Sequence, residues 1–186
     1  MDSLRPGFTL YLVAAELWGQ VNQKLRSDDR KGIVYIWEGL DPYTVAGRAC
    51  KYLYEHDQRM TRLVLVAHGS PGTFKLGEDI DAGNADRLVS WLSDLFDEGS
   101  LGVEVVSCEA LADDVQIIGG RRYGQANKPG ASGIRHGGYL LGAALAKASG
   151  QTVTGALYRL SSEVSIALAG PCRRVKPDGT ASVVQR

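Results

Sequence analysis

The chain has 186 residues, 44% of them hydrophobic, with 21 basic and 21 acidic side chains and three cysteines. That length is enough for one domain to bury a core without staples, and the balanced charge supplies no overall field toward nucleic acid or an anionic membrane. Three widely spaced cysteines argue against a disulfide framework and against a paired-cysteine zinc site. No apolar run reaches the roughly 18 residues of a membrane-spanning helix. The apolar stretch Phe8 to Leu17 carries Glu16 and is followed by no small-residue cleavage site, so it reads as structure. The expectation is a single domain over 1–186 in a reducing compartment, the cytoplasm or a host cell reached by secretion.

Leu10, Val13, Leu17, Val21 and Leu25 recur at spacings of three and four, which predicts a covering helix over Phe8 to Leu25. Gly32 to Trp37 is rich in β-branched and aromatic residues and predicts a buried strand. Asp41-Pro42 supplies a cap and a first helical residue, and Val45, Ala49, Tyr52 and Leu53 form the apolar face of a helix through His56. Leu63 to Ala67 is an uninterrupted apolar run, as in a strand covered on both faces, and it stops at His68-Gly69-Ser70-Pro71-Gly72. Leu88, Trp91, Leu92, Leu95 and Phe96 mark a helix over Asn84 to Phe96. Gly99 to Gly102 breaks it, and Val103 to Val106 is a third buried strand that ends near Cys108.

Gly119 to Gly138 holds seven glycines with Arg121, Arg122, Lys128, Pro129 and Arg135, and predicts a long mobile loop. Tyr139 to Ala148 reads as a helix and Thr152 to Leu157 as a strand. Lys176-Pro177-Asp178-Gly179 is a turn between two short strands. Strand alternating with helix predicts an α/β chain with a mostly parallel central sheet.

In such a sheet ligands gather at the carboxyl ends of the strands, and His68 and Cys108 occupy two of those ends. If their strands are neighbours, thiol and imidazole meet although about forty residues separate them in sequence. A thiol reacts as thiolate, and a neighbouring imidazole takes its proton or lowers its pKa. The backbone at Gly69, free of a side chain, and the Cys108 amide are candidates to receive an oxyanion. Alone, each residue is an ordinary core thiol or an ordinary turn; the pair at matching strand ends carries the expectation. Glu109, Asp113 and Asp114 lie close in sequence and form either a solvated acidic turn or a site for a basic substrate side chain. His56 reads as exposed at a helix end and His136 as part of the loop. Cys50 and Cys172 have no base in an interpretable position, so both read as structural. There is no G-x-S-x-G elbow, no phosphate-binding G-x-x-x-x-G-K-[ST] loop and no set of metal ligands at workable spacing.

Strand-His68-Gly69, a helix, and then Val105-Val106-Ser107-Cys108-Glu109-Ala110 resemble the caspase-fold cysteine peptidases. Ala67 to Gly72, followed by Phe74-Lys75-Leu76-Gly77 and later by Leu145 to Gly150 before a strand, is most similar to the cysteine protease domains of autoprocessing bacterial toxins. The likeness spans about Val64 to Leu160. The resemblance implies a three-layer sandwich of helices about a mostly parallel sheet, and a thiol endopeptidase acting through a His68–Cys108 dyad without a cofactor. It implies a protein or peptide substrate, and it admits an anionic small-molecule activator held by the loop arginines, or self-cleavage near Arg121-Arg122 or Arg135. Glu109-Ala110-Leu111 is not the caspase signature, so an aspartate preference is not carried over. A non-catalytic protein-binding module and a Cys-His acyltransferase or deamidase are the alternatives.

Overall fold

The first element is a strand, β1 (Phe8–Ala14), and not the covering helix that the spacing of Leu10, Val13, Leu17, Val21 and Leu25 predicts. Five of its seven side chains are apolar and buried alongside Tyr11, because β1 lies inside the sheet with both faces covered. A short continuous apolar run fits a doubly buried strand as well as a helix. The helical turns come after it, a 3-10 turn at Ala15–Leu17 and then α1 (Trp18–Asn22), whose Val21 is buried. The structure, a computed structural model, describes residues 7–25, 31–113, 116–118, 121–123, 137–157, 168 and 170–186.

β2 (Lys31–Ile36) is an edge strand and not the buried one expected: only Gly32 and Ile36 are buried, and Trp37 beyond it is exposed, because no strand among the described residues covers its outer side. It precedes α2 (Pro42–Glu55), the best-marked helix in the sequence. Asp41 caps it, accepting from Tyr43 N–H at 3.0 Å and Thr44 N–H at 3.1 Å, while Pro42 opens the first turn where no N–H is needed. β3 (Met60–Val66) follows and runs into a small antiparallel sheet of β4 (His68–Ser70), β5 (Thr73–Leu76) and β6 (Glu78–Ile80). The helix expected over Asn84 to Phe96 is split into α3 (Ala85–Val89) and a tighter 3-10 run, Ser90–Leu95.

β7 (Gly102–Val106) is buried along its whole length. β8 (Gln116–Ile118) and β9 (Arg121–Tyr123) pair as a hairpin, which places Arg121 and Arg122 on a strand within the segment expected to be loop. The remainder of that segment, 119–120 and 124–136, lies outside the described residues, while Gly137 and Gly138 begin α4 (Gly137–Ser149). β10 (Val153–Ala156) and the hairpin of β11 (Pro171–Val175) and β12 (Ala181–Gln185) complete the described elements.

The chain is mixed α/β, with a seven-stranded sheet in the order β12-β11-β10-β7-β3-β1-β2. Its five strands from β10 to β2 are parallel, and β11 and β12 are antiparallel. The crossovers through α2, α3 and α4 all step the same way along the sheet, so the right-handed rule puts these helices on one face. They pack side by side there. The crossover through α1 steps the other way and lies on the opposite face.

Leu10, Leu12, Leu63, Leu65, Val103 and Val105 share one face by register; Tyr11, Val64, Val66, Glu104 and Val106 share the other. The buried apolar side chains form one contiguous cluster. Among the described residues no helix is long and apolar enough to cross a membrane.

The Asp41 cap gives stability a defined acid dependence. Its bonds to Thr44 and Tyr43 hold the carboxyl below its ordinary value of 3.8. The cap's contribution is therefore complete above 3.8 and is lost as pH falls through the lower folded-state value. Asp41→Ala is expected to lower the melting temperature at neutral pH. Thermal unfolding followed by circular dichroism should show the gap from wild type closing in acid.

Candidate functional site

β3 and β7 are hydrogen-bonded neighbours in register, with Leu63 opposite Val103 and Val66 opposite Val106. The ladder runs one bond further, from Ala67 N–H to the Val106 carbonyl at 3.3 Å. Beyond that bond come His68 on one segment and Ser107 then Cys108 on the other. His68 opens β4, two residues beyond Val66, and Cys108 stands in the turn after β7, two residues beyond Val106. His68 is exposed and Cys108 half-buried, at the carboxyl edge of the sheet.

The residues beside them bring the two segments into contact. A Cβ placed on Gly69 would fall onto Ser107 Oγ, 2.9 Å from the Thr73 carbonyl oxygen and 3.2 Å from that of Cys108. Glycine at 69 therefore lets the two segments close on each other. A second bond, Gly72 N–H to the Ala110 carbonyl at 3.1 Å, ties the far side of the β4–β5 turn to the chain beyond Cys108. The histidine and cysteine segments are thus joined on both sides of the Gly69 contact.

Two features here cost stability. Glu109, directly after Cys108, has φ of 53°, a left-handed conformation that strains a residue with a long side chain by about 1 kcal/mol. Ser107 is fully buried, and its hydroxyl has no hydrogen-bond partner among the described residues, a cost of about 1–3 kcal/mol.

The acidic candidates are placed differently from one another. Glu109 is buried. Asp113 is engaged by the fold: its two oxygens accept from Arg173 Nη1 and Nη2, each at 2.9 Å, and one also accepts from Tyr139 N–H at 3.0 Å. Tyr139 is in the first turn of α4, whose unpaired N–H groups and positive end favour a carboxylate. A basic substrate side chain would compete there with Arg173. Asp114, His136 and Arg135 lie outside the described residues. Gly138 packs α4 onto the same chain, since a Cβ there would strike the Leu111–Ala112 backbone.

Burial pushes the Cys172 thiol up to about 11 and raises that of Cys50, whose Sγ donates to the Trp91 carbonyl at 3.8 Å. Both are held as thiols at neutral pH. His56, at the end of α2, stacks on Tyr52 with ring centroids 4.1 Å apart, and its Nδ1 lies 2.8 Å from the Tyr52 carbonyl oxygen. The structure thus brings Gly69 against Ser107 and the Cys108 backbone, with His68 directly before Gly69 in the chain. Sequence reading did not assign a place in the site to Ser107 or to the Asp113–Arg173 pair. Among the described residues no three His, Cys, Asp or Glu side chains are grouped to hold a metal ion. No protein-family model, curated protein or solved structure matches the chain.

Two outcomes follow from this geometry. In native protein at neutral pH, iodoacetamide should label Cys108 first and Cys172 last, read by intact mass and peptide mapping. Arg173→Ala should destabilise the fold by about 2 kcal/mol in chemical denaturation, because it takes the bidentate guanidinium from the half-buried Asp113 carboxylate.

Proposed function

We propose that the chain is a cysteine endopeptidase of caspase-like, three-layer architecture, with Cys108 as nucleophile and His68 as acid and base. The observation that carries this reading is the register of β3 and β7, which pairs Val66 with Val106 and so leaves His68 and Cys108 each two residues beyond a paired position, at the same edge of the sheet. Parallel α/β sheets bind ligands at that edge. The Cys108 thiol is half-exposed and the His68 imidazole exposed, whereas Cys172 is buried and the Cys50 thiol is engaged by the Trp91 carbonyl.

The chemistry needs three things from these residues. His68 removes the Cys108 proton, and the thiolate adds to the carbonyl carbon of a peptide bond. The oxygen becomes an oxyanion, received by backbone amides at Gly69 and Cys108. Collapse of the adduct breaks the C–N bond, and His68 gives its proton to the departing amine, leaving a thioester. His68 then takes a proton from water, hydroxide displaces Cys108 from the thioester, and the acid product leaves as the thiol is restored.

The test compares wild type with Cys108→Ala on a diverse peptide library, followed by mass spectrometry. Cuts made by wild type alone are expected, with both proteins giving the same far-ultraviolet circular dichroism. Cleavage undiminished in Cys108→Ala, or no cleavage by either protein, overturns the proposal.

A further inference from the structure

Ser107 has a place in the site that its chemistry does not explain by stability. It is fully buried, its hydroxyl has no hydrogen-bond partner among the described residues, and a hydrophobic residue of similar size would avoid that cost. The hydroxyl lies against Gly69. The bonds Ala67 to Val106 and Gly72 to Ala110 pull the two segments together on either side of this contact. The Ser107 hydroxyl fills the space between them at Gly69.

We propose that Ser107 is a positioning residue, whose hydroxyl is wedged against Gly69 and sets the separation of the His68 imidazole from the Cys108 thiol. This inference rests on the dyad reading above. Ser107 touches neither substrate nor the reacting sulfur; it acts through Gly69, the residue directly after His68. A displacement of about 1 Å in a reacting pair can cost about a hundredfold in rate, so an atom-sized spacer at this point governs reactivity. The residue preceding the nucleophile must then be small enough for Gly69 to approach and large enough to hold it off.

The experiment needs no substrate. The rate of Cys108 alkylation by iodoacetamide is measured against pH in wild type, His68→Ala, Ser107→Ala and Ser107→Thr, with melting temperatures recorded in parallel. Ser107→Ala is expected to melt at or above wild type, because it loses an unpaired buried hydroxyl. Its labelling at neutral pH is expected to fall by about tenfold, with the pH profile displaced. Ser107→Thr keeps the hydroxyl and is expected to restore the wild-type profile.

A Ser107→Ala profile that superimposes on wild type overturns the proposal. So does an equal slowing in Ser107→Thr, which would show that the hydroxyl is not the determinant, and so does loss of the fold in Ser107→Ala, which would make the residue structural. If His68→Ala labels as fast as wild type, the dyad itself fails and the role of Ser107 falls with it.

Discussion

Val66 and Val106 stand opposite each other in two parallel strands at the centre of the sheet, and the relation between the histidine and the cysteine follows from that pairing. A shift of one residue in the pairing would leave the two unequally far beyond the last paired position. The register is held from below by Leu63, Leu65, Val103 and Val105, all essentially inaccessible to solvent, and from above by the bonds to Ala67 and Gly72. The strained Glu109 and the unpaired Ser107 hydroxyl sit at the top of this arrangement. They persist because the strands beneath over-determine the backbone that carries them.

Much of this was legible from residue pattern. Leu63–Ala67 and Val103–Val106 are apolar runs that the structure places in covered strands, Gly32–Trp37 marks a strand at the sheet edge and not a buried one, and Asp41-Pro42 marks the start of α2 to the residue. The misread element, β1, is instructive. Its apolar run joins the following turns with the spacing of a helix, and only its place between β2 and β3 explains why every position from Leu10 to Ala14 is buried. The small sheet β4–β5–β6 went unseen because strands of three and four residues are too short to show alternation.

His68, Gly69 and Cys108 were legible because they end or follow strong strand signals. Asp113 was visible as an acidic residue near the cysteine, but its partner was not. Arg173 lies 60 residues further on and meets it only because β11 packs beside β10. Ser107 is a small residue between two conspicuous ones, and nothing in its type signals a buried hydroxyl. The contact that singles it out exists only once Gly69 is brought alongside.

The Asp113 carboxylate joins three pieces of chain: the segment after Cys108, the first turn of α4 and strand β11. Such ties close late, because each requires distant parts of the chain to be ordered first. The segment carrying the Cys108 thiol is anchored from three directions, by the β4–β5 turn, by α4 and by β11. Loosening any one of these three distant pieces of chain would therefore loosen the placement of Cys108.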